Sequence, residues 1–199
     1  MTTTFIWDLD GTLIDSYGTI LNSLETAYAA FDLPFEREKI QPYILQTSVG
    51  QLFKDIKAEK GLDLQPIYAE SLETRNHEIE ILDGAEEILA WAQARGIEQF
   101  IYTHKGDNAF VLLEDLGLQG YFREILTADR GLKRKPHPEG VDYLVDKYQL
   151  KRETCYYIGD RPLDVDVAIN SGIQSINFCD YKPAYNQKIE HLKDIKNLF

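Results

Sequence analysis

Positively charged side chains are in short supply in this chain of 199 residues. It carries 21 lysines and arginines against 33 aspartates and glutamates, which gives a formal net charge of -12 at pH 7. Binding to a nucleic-acid backbone requires clustered Lys and Arg side chains. We therefore expect no nucleic-acid partner.

Cysteine and long apolar runs are also lacking. Cys155 and Cys179 lie in apolar segments without CxxC spacing, which favours reduced core thiols over a disulfide or a metal centre. No apolar run is long enough to span a membrane, and no charged leader precedes the first apolar stretch. We therefore expect neither membrane insertion nor export, and the predicted compartment is the reducing cytoplasm.

The first apolar stretch, residues 5–7, runs directly into acidic residues. Asp8 and Asp10 follow it, and Gly11 then allows a sharp turn. Apolar residues without alternation are typical of a strand buried on both faces of a parallel sheet. Ligands bind beyond the carboxyl ends of such strands. An acid followed by glycine also fits a solvated turn, so this motif alone leaves both interpretations open.

Helical patterns continue from this strand as far as residue 81. Ser16 is a candidate cap for a helix through residue 31, and further helical patterns cover residues 36–40, 50–59 and 63–81. A capping box at residues 83–86 then predicts another helix, and strands are predicted at residues 99–103, 122–126, 155–158 and 173–178. This alternation predicts an α/β fold: a doubly wound, Rossmann-like parallel sheet from residues 1–15 and 82–199, with a small α-helical domain inserted at residues 16–81.

Polar side chains gather at the predicted carboxyl ends of the strands and in the adjoining loops. They are Asp8, Asp10, Thr103, Lys135, Asp160 and Asp164. We expect them to share one edge of the sheet, where four carboxylates would repel one another unless a cation were bound. Oxygen ligands suit Mg²⁺. The sequence therefore predicts a magnesium site.

These motifs resemble, in the same order, those of the haloacid dehalogenase-like hydrolase (HAD) superfamily, in its phosphatase branch. The matching residues are 8–12 (DLDGT), Thr103, Lys135 and 159–164 (GDRPLD), and the resemblance covers nearly the whole chain. The helical insertion resembles the cap domain of the phosphoglycolate phosphatase and β-phosphoglucomutase-like members. The resemblance thus implies a HAD core with a helical cap.

The resemblance also implies catalytic and metal-binding roles. Asp8 would be the nucleophile that forms an aspartyl phosphate, and Asp10 would be the general acid and base. Mg²⁺ would be held by Asp8, by the backbone carbonyl of Asp10 and by Asp160. Asp164 would anchor the site without binding the metal directly.

Three residues are expected to bind the phosphoryl group. Thr103 would donate a hydrogen bond, and Lys135 would supply positive charge. His104 would contribute its backbone N–H; whether its side chain contacts the substrate or is exposed is left open. Taken singly, Thr103 also fits an ordinary strand residue, Lys135 a solvated loop and Asp164 a helix cap.

The predicted function is a Mg²⁺-dependent phosphatase that hydrolyses a small phosphorylated metabolite. A phosphomutase of the β-phosphoglucomutase type is the first alternative, and a non-enzymatic phosphoacceptor module is the second. The presence of Asp10 disfavours a dehalogenase, because dehalogenase members of the superfamily lack that acid. Neither the substrate, nor the cap residues that select it, nor the oligomeric state follows from the sequence.

Overall fold

A parallel β-sheet organises the first of two units in the computed structural model, which describes residues 2–199. This α/β unit comprises the N-terminal segment ending at Asp15 together with Ile81–Phe199. The helical unit is Ser16–Glu80. The chain therefore leaves the α/β unit shortly after its first strand and returns to it once.

The strands are short, and most of their residues are buried. They are β1 (Thr4–Trp7), β2 (Ile14–Asp15), β3 (Glu80–Ile81), β4 (Glu98–Tyr102), β5 (Glu124–Leu126), β6 (Cys155–Gly159), β7 (Gln174–Asn177) and β8 (Asn186–Lys188). Across residues 2–199 six of them form one parallel sheet in the order β5-β4-β1-β6-β7-β8, and β2 pairs with β3. Strand β1 lies inside the sheet, with Trp7 in register with Ile101 of β4 and Ile158 of β6.

The helices divide between the two units. They are α1 (Tyr17–Ala29), α2 (Arg37–Gln46), α3 (Val49–Lys60), α4 (Gln65–Thr74), α5 (Ala85–Ala94), α6 (Asn108–Asp115), α7 (Glu139–Tyr148) and α8 (Pro162–Asn170). In the α/β unit, Val141 and Leu144 of α7 and Val167 of α8 pack with Phe100 and Tyr157 of the sheet. The predicted α/β class with a parallel sheet is confirmed.

The helical unit has a hydrophobic core of its own. Its buried residues are Ile20, Leu21, Leu24, Ala27, Tyr28, Ile40, Ile44, Leu52, Ile56, Leu64 and Leu72. Leu24 and Ala27 lie on one face of α1 and are fully buried, as the helical spacing predicts.

Some predicted boundaries are wrong. The helix predicted over residues 63–81 ends at Thr74, and a short 3₁₀ turn and strand β3 follow. No capping box opens α5, because Gly84 occupies the N-cap position with a left-handed φ of 80°. Strand β8 was not predicted, since Asn186 and its neighbours lack an apolar pattern.

Cysteine placement agrees only in part with the expectation of two core thiols. Cys155 belongs to the core of the α/β unit, whereas Cys179 is half-buried. Both cysteines are free thiols. Among residues 2–199, no helix has the length and apolar character needed to cross a membrane.

Candidate active site

The predicted site residues at the strand ends lie on neighbouring strands. Asp8 follows β1 and its N–H donates to the Ile158 carbonyl of β6 at 2.8 Å. Thr103 follows β4 and its N–H donates to the Leu126 carbonyl of β5 at 2.9 Å. The parallel ladder thus continues one residue past the strands, and both side chains emerge at the carboxyl edge of the sheet.

Lys135 lies between two of the predicted acids. Its Nζ is 2.9 Å from Asp8 Oδ1 and 2.7 Å from Asp164 Oδ1, and all three side chains are at most 1% exposed. The rings of Tyr102 and Tyr157 lie 5.8 and 5.2 Å from the same ammonium, where cation–π attraction is favourable. A buried ammonium needs such compensation, so this contact set orients Lys135 towards the nucleophile predicted at Asp8.

Asp164 combines a helix cap with a contact to Lys135. Its Oδ2 accepts a hydrogen bond from the Arg161 N–H at 3.1 Å, which caps α8. Its Oδ1 accepts one from Lys135 Nζ at 2.7 Å. A Cβ on Gly159 would come within 2.5 Å of the Asp164 side chain, so glycine is required where the end of β6 passes this carboxylate. Asp164 therefore caps α8 and contacts Lys135 at the same time, and its role as an anchor of the site stays a prediction.

A divalent cation fits the acids at this edge. Carboxylate oxygens of Asp8, Asp160 and Asp164 lie within 4.8 Å of one another. Asp8 Oδ2 is buried and has no hydrogen-bond partner within residues 2–199. Burial raises the pKa of Asp8 above its ordinary value, although the charge of Lys135 opposes this. The grouping of oxygen donors suits a hard cation, and Asp164 already has a partner on each oxygen.

Arg161 is a cation of this site to which the sequence assigned no role. Its Nη2 is 3.9 Å from Asp8 Oδ2, and its Nε is 3.9 Å from Asp160 Oδ1. The side chain is 12% exposed. The guanidinium therefore offsets part of the negative charge of both acids.

Lys105 is the second cation that sequence reasoning missed. Its Nζ is 3.2 Å from Asp10 Oδ1, with the lysine side chain 4% exposed and the aspartate side chain 18% exposed. These residues are 95 positions apart. Only the place of Lys105 two residues after Thr103 hinted at this contact, and many loops carry a lysine there by chance.

Thr103 and His104 line the loop after β4. Thr103 Oγ1 accepts from the Lys105 N–H at 3.1 Å, which leaves its hydroxyl hydrogen available for donation. Neither ring nitrogen of His104 has a hydrogen-bond partner in the described part of the chain, and both are buried. Burial, with the charges of Lys135, Arg134 and Arg161, lowers the pKa of His104 to about 2. The imidazole is therefore neutral and largely withdrawn from solvent.

Known proteins are similar to this chain along most of its length. It is 25% identical to the phosphoglycolate phosphatase of Nitrosococcus oceani, over 96% of this chain and 93% of that protein. It is 28% identical to the pyrophosphatase PpaX of Listeria monocytogenes, over 85% of this chain and 79% of that protein.

A solved structure is also similar. It is the core domain of a protein from Streptococcus pneumoniae TIGR4 assigned as a phosphoglycolate phosphatase. The identity is 39%, the TM-score is 0.61, and the match covers 100% of this chain and 96% of that one.

A family match covers the candidate site itself. The family described as haloacid dehalogenase-like hydrolase matches residues 5–178. This range contains all of β1 except Thr4, the helical unit and each acid at the sheet edge. The family that the motifs resembled is thereby confirmed. The chain belongs to the haloacid dehalogenase-like hydrolases.

Proposed function

We propose that this protein is a Mg²⁺-dependent phosphatase that hydrolyses a small phosphorylated metabolite through an aspartyl phosphate on Asp8. One observation carries the proposal: the Asp8 carboxylate is buried at the end of β1, with Lys135 Nζ at 2.9 Å and two further acids beside it. A carboxylate held among cations at a sheet edge can approach a phosphoryl dianion as nucleophile. The named phosphatase and pyrophosphatase relatives support the substrate class.

The reaction has two displacements at phosphorus. In the first, an Asp8 carboxylate oxygen bonds to phosphorus while the ester P–O bond breaks and Asp10 gives its proton to the departing oxygen. In the second, Asp10 takes a proton from water as the water oxygen bonds to phosphorus and the Asp8–phosphorus bond breaks. Phosphate leaves, and both carboxyl groups return to their starting states.

The other site residues bind and neutralise charge. Lys135 and the hydroxyl of Thr103 would contact phosphoryl oxygens, with the backbone N–H of His104 beside them. Asp8, the Asp10 carbonyl and Asp160 would hold Mg²⁺, which when bound offsets charge on the phosphoryl oxygens. Asp164 would keep Lys135 and the start of α8 in place.

Phosphate release by the purified protein tests this function. The panel includes phosphoglycolate, pyrophosphate and sugar phosphates, each with and without Mg²⁺. We expect metal-dependent turnover of at least one compound, and a loss of about 1,000-fold or more in kcat for Asp8→Asn. The matched control, Asp115→Asn, removes an exposed carboxylate at the end of α6 and retains wild-type activity.

Two results would contradict the proposal. One is metal-dependent turnover that survives in a folded Asp8→Asn variant. The other is a phosphoryl group that accumulates on Asp8 without turnover and is released by hydroxylamine, as an acyl phosphate is. That result would favour a phosphoacceptor. Turnover that requires a sugar bisphosphate would instead favour a mutase. The small-metabolite partner and the cytoplasmic location stay predictions.

A further inference from the structure

A buried lysine reaches the acid that the proposed mechanism uses for proton transfer. The Lys105 side chain is 4% exposed, and its ammonium is 3.2 Å from Asp10 Oδ1. Burying an ammonium costs several kcal/mol of solvation, and ordering a lysine side chain costs further entropy. A lysine that pointed into solvent would avoid both costs. The ion pair with Asp10 is the interaction that compensates Lys105 for them.

The backbone holds the base of the Lys105 side chain from two directions. Its N–H donates to Thr103 Oγ1 at 3.1 Å, and its carbonyl accepts from the Ala128 N–H at 2.9 Å, in the segment after β5. The next residue, Gly106, packs so closely that a Cβ there would lie 2.7 Å from Asp129 Oδ2. Lys105 therefore extends from a fixed loop.

Asp10 stands on a tight turn at the opposite end of this contact. Gly11 adopts a φ of 79°, and its N–H donates to the Ile14 carbonyl at 2.9 Å. The Asp10 side chain is 18% exposed, so water reaches it as well as Lys105. The Lys105 ammonium reaches Oδ1 from outside this turn.

We propose that Lys105 is a positioning residue that holds the Asp10 carboxylate through Oδ1 in the orientation used for proton transfer. The inference rests on the proposed function, since it concerns the same acid and base. Lys105 neither gains nor loses a proton in either displacement. The proton passes from Asp10 to the departing oxygen and later from water to Asp10, and misorientation of Asp10 slows both transfers.

A double-mutant cycle separates this role from a purely structural one. In the otherwise unchanged protein, Lys105→Met should lower kcat by about 10- to 100-fold, with KM changed by no more than about threefold. In the Asp10→Asn background the same change should have less than about a twofold effect. Lys105→Arg should recover part of the lost kcat, because it restores a cation beside Asp10 but with the planar geometry of a guanidinium.

The leaving group gives a second readout. With p-nitrophenyl phosphate the departing oxygen needs little protonation, so the first displacement stays fast in Lys105→Met. The second displacement is slow, because Asp10 must still take a proton from water. We expect a burst of one equivalent of nitrophenolate, followed by slow turnover. With an alkyl phosphate of poor leaving ability, the same variant should show no burst.

The control is Lys188→Met, which removes an exposed lysine paired with exposed Glu190 and should leave both kinetic constants unchanged. If Lys105→Met melts below the assay temperature, Lys105→Gln takes its place in the cycle.

Equal losses from Lys105→Met with and without Asp10 would overturn the positioning role and leave the proposed function standing. An inactive, folded wild-type protein would overturn the proposed function and this inference together.

Discussion

The His104 imidazole has an unusual position among the site residues. Both ring nitrogens are buried without hydrogen-bond partners in residues 2–199, and Lys135, Arg134 and Arg161 lie close enough to act on its charge. Burial and these cations lower its pKa from an ordinary value of 6.5 to about 2. A proton on this ring would add a fourth positive charge to a group that already holds three.

This shift predicts how stability depends on pH. Below pH 6.5 His104 becomes protonated in the unfolded chain but stays neutral in the folded chain. The free energy of unfolding therefore decreases as the pH is lowered from 6.5 to about 2. Between pH 7 and pH 5 the loss from this group is about 2 kcal/mol. Between pH 7 and pH 5, the free energy of unfolding of His104→Gln should decrease by about 2 kcal/mol less than that of the wild type. Urea unfolding of both proteins at pH 7 and at pH 5 measures this difference. Equal losses in variant and wild type would refute the burial argument.

At the scale of elements, the contact between α7 and β4 holds the loop that carries Lys135. Gly140 in the first turn of α7 lies against the Tyr102 ring of β4, and the Tyr102 hydroxyl donates to the Lys133 carbonyl at 2.9 Å. Tyr102 also makes an edge contact with the Tyr157 ring, at 6.4 Å between centroids. The ring is therefore held on several sides.

Gly140→Ala tests this contact. Alanine ordinarily stabilises a helix over glycine by about 1 kcal/mol, but a Cβ here would fall 2.4 Å from Tyr102 Cζ. We expect the clash to prevail, with the free energy of unfolding lowered by about 1–3 kcal/mol in urea titrations. Gly120→Ala, with nothing within 4 Å of the added Cβ, is the control and should change it little. A stabilised Gly140→Ala protein would show that α7 and β4 separate readily.

At the scale of the whole molecule, each unit has its own core. The α/β unit is built around the sheet, with Val141 and Tyr157 in its core, while Leu24 and Ile56 belong to the core of the helical unit. The points where the chain leaves and re-enters the α/β unit are neighbours, since β2 pairs with β3 and the Leu82 N–H donates to the Leu13 carbonyl at 3.0 Å.

This arrangement predicts that the α/β unit folds without the helical unit. A glycine-serine linker of about four residues in place of residues 16–79 keeps β2 and β3 and spans the gap between these paired strands. We expect a cooperative thermal transition and retained helix and strand signals by circular dichroism. Deletion of Glu139–Tyr148, which removes core residues, is the control that abolishes cooperative folding. Non-cooperative melting of the linker variant would mean that the sheet depends on the helical unit.

The sequence by itself determined the motif order, the α/β class and the helical insertion. Each depends on patterns within short windows: apolar residues before Asp8, helical spacing through α1, and the alternation of strands and helices after residue 82. Parallel topology then implied that Asp8, Thr103 and Asp160 meet at one edge, because strands of one direction end together.

Tertiary structure alone decided which charges pair. Lys105 meets Asp10 across 95 positions, and Lys135 meets Asp164 across 29. No local pattern encodes such contacts, since they depend on side-chain reach and on which loops adjoin. The burial of His104 and the addition of β8 to the sheet were likewise decided by packing, because neither segment carries an apolar pattern that foretells it.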